Sequence, residues 1–441
     1  MRARTLVLLG ALLLGGCDDT VNNDDISLPF TLRASVGTLG GESNDDSFLG
    51  FLSGNGRHVF FFSFATNLHP DDTDGVADLY RKDLQTGALE LVDRATGAGG
   101  AKTTGLFGAT RPSFDGSRVA FETLESLDVD DGDANTDIYL RDLTTGVTTL
   151  ESRATGGAKA AGNSRQADLS PDGRYLVFCS GATNLSADAA DGIIQVYLRD
   201  LVTGETELIS RATGVAGTRA DFFCSNPRVS AGGGRVAFMT VSTNLGGPAT
   251  FQAQVYVRDR ATNETRLVSR ATGPAGAAAD VDIHQFAFSD DGRRVAMVTV
   301  AKNLDPNDAS DNFTDVFVRD IDAETTVHAS RADGAAGADA SSDCRGVSLS
   351  GDGRYVAFWS GATNLVAADE NGVRDVFVRD LTASRTSRVS LRTFGTEAAA
   401  DSLQSALSAD GRIVVFESVA PNLVENDGNA RQDLFVRQPL W

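Results

Sequence analysis

Acidic residues recur in this chain in short, spaced groups. Asp71, Asp74 and Asp78 lie in DDTDGVAD, and Asp128, Asp130, Asp133 and Asp137 lie in DVDDGDANTD. Asp369, Asn371 and Asp375 lie in DENGVRD. Carboxylate and amide oxygens spaced in this way, with glycine between them, can wrap a hard cation, and Ca2+ accepts such a flexible oxygen shell. Asp305, Asp308, Asp311 and Asp315 form a further group, and Asp427 and Asp433 a sparser one. Asp188 and Asp191 are followed by Gln195, and GGPATFQAQ from Gly246 has no acid at all. No bidentate Glu closes these segments, so they are not EF-hands. The competing reading makes them solvated turns, with the last Asp of each group tying the loop into the strand that follows.

Other chemistry is sparse. His58, His69, His284 and His328 sit at unrelated positions, without metal-ligand spacing. There is no nucleophile elbow, phosphate-binding loop or dinucleotide fingerprint in a suitable context. With 60 Asp and Glu in the chain, a chance pair of carboxylates carries no catalytic assignment, and none is made. Cys179 and Cys224 are candidates for a disulfide between neighbouring repeats. Cys344 has no partner in the pattern, and buried free thiols are the competing reading for all of them.

The elements that position these groups are repeats. SPDGRYLVFCSGATNL from Ser170 matches SGDGRYVAFWSGATNL from Ser350. One column runs Phe61, Phe121, Phe178, Phe238, Met297, Phe358 and Phe416, and a second runs Tyr80, Tyr139, Tyr197, Tyr256, Phe317, Phe377 and Phe435. Each unit of roughly sixty residues reads as four strands, A to D. Gly56, Gly116, Gly173, Gly292, Gly353 and Gly411 mark a tight A–B turn, and strand B is apolar on both faces, as a central strand must be. Four antiparallel strands repeated seven times predict an all-β, seven-bladed β-propeller. The seventh unit stops without a strand D, and FTLRASVG from Phe30 supplies one, so the first strand is expected to complete the last blade and close the ring.

The S-x-D-G-R and D-[IV]-[FYW]-V-x-D-L-x-T-G motifs resemble the blades of TolB-like, WD-type propeller repeats. The resemblance covers nearly all of residues 29–441. It departs from TolB in lacking an N-terminal α/β domain, in its seven blades and in its longer loops. Related repeats precede the hydrolase domain of prolyl-oligopeptidase-like peptidases. No such domain follows here, so that activity is not implied. The resemblance implies a place beside cell-envelope complexes.

Short A–B and C–D turns belong to one face of such a propeller and long B–C and D–A connections to the other, which is the expected working face. On the long face an Asn column (Asn67, Asn184, Asn244, Asn303, Asn364, Asn422) reads as structural. So does the basic column Lys82, Arg141, Arg199, Arg258, Arg319, Arg379 and Arg437.

Residues 1–16 read as a secretory signal ending in Leu14-Gly15-Gly16-Cys17, which resembles a bacterial lipobox with Cys17 as the lipidated residue. Residues 17–28 read as an acidic disordered tether. The net charge of -21 argues against nucleic-acid partners. These readings predict a monomeric, membrane-anchored envelope lipoprotein, periplasmic or surface-exposed, that binds a protein or glycan partner without catalysis. The alternatives are a Ca2+-stabilised structural propeller and an enzyme acting on an extracellular polymer.

Overall fold

The computed structural model describes residues 30–438 apart from 39, 107, 190 and 309–311. The signal, Cys17 and the tether lie outside the described residues. Seven four-stranded antiparallel sheets form the blades of the propeller. Blade 1 comprises strands A (Ser47–Leu52), B (His58–Ser63), C (Asp78–Asp83) and D (Leu89–Leu91). Among the described residues, helix is confined to two 3-10 turns, Ala187–Ala189 and Ala231–Gly233. No helix among them is long and apolar enough to cross a membrane.

The two aromatic columns are cross-strand neighbours. Phe61 pairs with Tyr80, Phe121 with Tyr139 and Phe416 with Phe435. Their rings stack at 5.7, 6.1 and 5.9 Å. Each apolar cluster draws on two consecutive blades, so the core is a ring of interfaces between sheets. The expected closure is present. Phe30–Arg33 pairs with Asp433–Gln438 in strand order D-C-B-A, and Ala34 N–H continues the ladder to Leu434 O at 2.7 Å.

The S-x-D-G-R motif builds the short face. Ser170 donates to Asp172 at 2.5 Å and accepts from Tyr175 N–H at 2.9 Å, while Gly173 takes the left-handed conformation at φ 68°. Arg174 then reaches the C–D turn and pairs with Asp200 at 2.7 Å. Arg57–Asp83 and Arg354–Asp380 repeat that link, and in blades 2, 4 and 5 the residue one place later, Arg118, Arg235 or Arg294, reaches the same acid, Asp142, Asp259 or Asp320. Adjacent A–B turns also join through their backbones, as from Phe114 N–H to Pro171 O at 2.7 Å and from Gly351 N–H to Ala409 O at 2.8 Å. Among the described residues no such bond links blades 3 and 4. Proline at 171 has no N–H to give.

One expectation is corrected. The D–A connections do not lie wholly on the long-loop face. The RATG segment of each folds back as a hairpin along the outer strand of the next blade. Gly97 N–H reaches Gly146 O, in the C–D turn of blade 2, at 2.7 Å, and Thr148 N–H donates to Thr96 Oγ1 at 3.0 Å. Thr155 with Thr206, Thr213 with Thr265, Thr272 with Thr326 and Thr393 with Thr31 repeat the contact. The hairpin covers an edge strand that would otherwise offer free backbone groups. The basic column holds it in place: Arg379 donates to Ala332 O at 2.9 Å and to Gly334 O at 2.8 Å.

Candidate functional site

The acidic groups gather on the long-loop face as expected, and each meets a cation of the chain itself. In blade 1 the carboxylates of Asp72, Asp74 and Asp78 surround Lys102, whose Nζ lies 3.7, 2.9 and 2.9 Å from them. In blade 2 Lys159 stands 3.5, 2.8 and 2.8 Å from Asp131, Asp133 and Asp137. Asp71 pairs with Arg94 at 3.0 Å, and Arg153 pairs with Asp128 at 3.4 Å and Asp130 at 2.9 Å.

Blades 6 and 7 reach the same arrangement from the opposite side. The positions equivalent to Lys102 hold Glu397 and Glu42, as the matching bridges Arg94–Lys102, Leu391–Glu397 and Val36–Glu42 show. The cation comes instead from strand D. Arg388 meets Asp369 at 3.0 Å, Asp375 at 3.4 Å and Glu397. Arg33 meets Glu42, Asp427 and Asp433 at 2.8, 3.2 and 3.5 Å. Leu91 and Leu150 occupy the equivalent strand D positions in blades 1 and 2. Blade 4, without acids, has Leu267 on strand D and Ala278 at the lysine position. Asn371 donates to Asp375 at 2.9 Å and to Ala398 O at 3.2 Å.

The last acid of each group is buried and anchors strand C. Ser152 Oγ donates to Asp137 at 2.6 Å, and Ser210 and Ser269 donate at 2.6 Å to Gln195 and Gln254, which stand where other blades have Asp. Burial pushes the Asp137 and Asp375 carboxyls up. Lys159 and backbone bonds hold the outer Asp133 below the usual carboxylate range. Blade 1 differs in carrying Asp93 where blade 2 has Ser152. Burial and the neighbouring Asp93 and Asp72 push Asp78 up to about 8, against the pull of Lys102.

The Asn column is a clip. Asn184 donates to Lys159 O at 2.7 Å and accepts from Ala161 N–H at 2.8 Å, and Asn67 and Asn364 do the same with their own connections.

One cluster has the composition of a hydrolytic triad. His328 Nε2 lies 2.9 Å from Ser330 Oγ and 3.0 Å from Asp315, and its Nδ1 lies 3.5 Å from Asp339. Ser330 is fully buried and donates to Asp315 at 2.8 Å, the bond its counterparts Ser152 and Ser390 make in blades without the histidine. It is a strand anchor with no approach for substrate. Cys179, Cys224 and Cys344 are buried free thiols, and Cys179 Sγ lies 3.5 Å from Cys224 O. Burial raises all three thiols.

Two linings were not foreseen, that of the central channel and that of the blade 4 loops. A central channel of 460 Å³ runs along the A strands, with Arg111, Arg228, Ser348 and Ser405 in its wall. On the long-loop face, the acid-free blade 4 exposes Phe222, Phe223 and Phe251, with Phe251 62% exposed and edge-on to Phe222 at 5.2 Å. Ile194 of blade 3 is exposed beside them, and its carbonyl accepts from Cys224 N–H at 2.9 Å. The missing acids of GGPATFQAQ were the sequence signal for that patch.

Solved structures of similar fold include oligogalacturonate lyase from Vibrio parahaemolyticus, at 12% identity and a TM-score of 0.51 over 93% of this chain and 90% of that one. The β-propeller domain of the Trilobed protease from Pyrococcus furiosus matches at 13% and 0.49, over 89% of this chain and 98% of that one. TolB from Acinetobacter baumannii matches at 16% and 0.41, over 76% of this chain and 63% of that one, which is less than two thirds of its length. The likeness is one of fold. No protein-family model and no curated protein matches the chain.

Proposed function

We propose that this propeller is a non-catalytic binding module of the bacterial cell envelope, tethered through a lipid on Cys17, that holds a protein or glycan partner on its long-loop face. The observation that carries this reading is the patch of Phe222, Phe223, Phe251 and Ile194. Clustered exposed aromatics on a rigid frame are characteristic of interaction sites. The loops of blades 1 and 2 are closed by ion pairs, whereas those of blade 4 offer apolar surface.

A photo-crosslinking residue in place of Phe251, compared with one in place of Thr144 on the opposite face, tests this in the native cell. A protein or glycan adduct from position 251 and none from position 144 is the expected result. Lipid alone at both positions would remove the partner reading. Cys17→Ser is expected to release the protein from membranes.

A second reading, a Ca2+-stabilised structural propeller, draws on the carboxylate oxygens of Asp72, Asp74 and Asp78, which lie within 4.8 Å of one another, as do those of Asp131, Asp133 and Asp137. Calcium would have to displace Lys102 and Lys159. A melting temperature that falls with chelator and recovers with Ca2+ would favour it over the tethered-cation arrangement.

A further inference from the structure

The aromatic patch of blade 4 stands on strained backbone. Phe251 takes the left-handed conformation at φ 52°. It lies three residues before Gln254, and the residues three before Gln195 in blade 3 and Asp375 in blade 6 are Gly192 and Gly372, at φ 81° and 67°. Glycine takes that conformation without strain and phenylalanine does not. A side chain 62% exposed gives folding little in return. Strain of this kind is retained where a site needs the side chain. Phe251 meets Phe222 edge-on, and Phe223 and Ile194 are exposed beside them.

The charge around the patch also differs from the rest of the long-loop face. In blades 1, 2, 6 and 7 the loop acids surround a tethered cation, and in blade 3 Asp188 and Asp191 pair with Arg211 and Arg219. Three exposed acids border the patch. Asp221 precedes Phe222 and accepts from Thr243 N–H at 3.0 Å and Thr243 Oγ1 at 2.8 Å. The Asp280 carbonyl accepts from Gln252 Nε2, and the Asp282 carboxylate accepts from Ala253 N–H at 2.7 Å. Among the described residues none of these three carboxylates has a basic side chain within ion-pair distance. Arg219 is committed to Asp191, and Lys302 Nζ lies 3.5 Å from Asn312 Oδ1. Folding does not demand acids at 221 and 280. The residue whose N–H meets the Asn clip is Asn44, Ala161, Ser341 or Ala399 in blades 1, 3, 6 and 7, and an acid in blades 4 and 5, on either side of the Phe251 loop.

We propose that the partner held on the long-loop face, the reading on which this depends, is a protein segment in which apolar side chains lie next to lysine or arginine. Its apolar residues take the surface of Phe222, Phe223 and Phe251, and its cations meet Asp221, Asp280 and Asp282. An apolar centre within a polar, charged rim is the anatomy of a protein–protein contact, and complementary rim charge selects the partner. A second copy of this chain does not fit, because a two-fold contact through the patch sets the same three acids against themselves. A neutral glycan brings no cation to the acids, and an anionic one is repelled by them.

Fluorescence anisotropy of the full chain tests the site with a short peptide alternating leucine and lysine, its leucine–glutamate counterpart and a neutral glucose oligosaccharide. The lysine peptide is expected to bind saturably and the other two are not. Phe251→Gly should weaken binding by about tenfold or more, the scale of an interface anchor. It should melt no lower than the parent, because the left-handed strain is relieved, whereas a purely structural Phe251 would lower melting. The triple variant Asp221→Asn, Asp280→Asn and Asp282→Asn should weaken binding by about tenfold and lose most of its salt dependence. Those amides copy other blades, where Asn44 accepts from Thr66 N–H at 2.9 Å and Asn163 from Thr136 N–H at 2.8 Å. Binding unchanged in either variant, binding matched by the glutamate peptide or the oligosaccharide, or a dimer that Phe251→Gly dissolves would each overturn the proposal. A photo-crosslinking residue in place of Ile194, used in the native cell, separates its failure from that of the partner reading. A protein adduct formed equally by the parent and the triple variant overturns the cationic segment and leaves the partner standing, whereas no adduct removes both.

Discussion

The acidic loops of blade 1 and blade 6 resolve one electrostatic problem from opposite sides. Blade 1 has an apolar strand D residue, Leu91, and sends Lys102 in from the returning connection. Blade 6 has Arg388 on strand D and an acid, Glu397, in the lysine's place. In both, buried carboxylates surround one tethered cation. Burying such a carboxylate without a counter-charge is costly, so the cation position is constrained while its source in the chain is not. Blade 4 has neither acids nor cation, and the same backbone closes without them.

Arg388→Met is expected to have the largest effect. It strands Asp369, Asp375 and Glu397, of which Asp375 is fully buried. Removing one partner of a buried ion pair costs about 3–5 kcal/mol. The variant should unfold at markedly lower denaturant concentration, and acid should partly rescue it by protonating the carboxylates. A loss no larger than that of an exposed pair would show that blade 6 does not depend on its cation.

Lys102→Met comes next. Asp74 is partly solvated, so a loss of about 1–3 kcal/mol is expected, the range for an unsatisfied buried polar group. This variant should also gain a stabilising response to millimolar Ca2+ that the parent lacks, because the oxygen cluster is then vacant. Adding Leu91→Arg and changing position 102 to Glu should recover most of the stability by installing the blade 6 arrangement. A parent protein that itself melts higher with Ca2+ would break the comparison.

The pH dependence separates blade 1 from blade 2. Asp78 is pushed up to about 8, above the ordinary aspartate value of 3.8, so between those values the folded chain holds a proton that the unfolded chain has released. The contribution is fully present below about 4 and is lost as pH rises through about 8. Asp93→Ser copies Ser152, which already accepts Ile138 N–H at 3.2 Å in blade 2. It should flatten this slope and add about 1 kcal/mol at pH 9, the scale of one pKa unit. Urea midpoints from pH 5 to 9 measure both effects, and an unchanged slope would count against the coupling.

The blades were legible in the sequence because a cross-strand pair such as Phe61 and Tyr80 recurs in every unit. The closing strand was legible because the seventh unit has no strand D of its own. The channel wall was not. Strand A bulges at Leu49, Gln166 and Asn226, with φ of 50°, 55° and 51°, and no glycine marks those positions. A neighbouring blade holds each bulge instead: Glu417 accepts from Leu49 N–H at 2.6 Å and Gln166 from Asn226 N–H at 3.0 Å. Such contacts join residues remote in the repeat, and no local spacing reports them. The tethered cations were hidden for a related reason. The column Lys102, Lys159, Ala278, Glu397 looks unordered until it is set against Leu91, Leu150, Leu267, Arg388.

Blade 4 supplies the smallest and most discriminating effect. Ala278→Lys places a lysine where blades 1 and 2 have one, above a loop that has no carboxylate to receive it. If the cation is needed only to balance buried acids, the new ammonium stays in water and stability changes by less than about 0.5 kcal/mol, as for an ordinary surface substitution. If instead the lysine stem stabilises the loop through its packing, blade 4 should gain as much as blade 1 loses in Lys102→Met. Equal and opposite midpoint shifts in those two variants would replace the electrostatic account with a packing one.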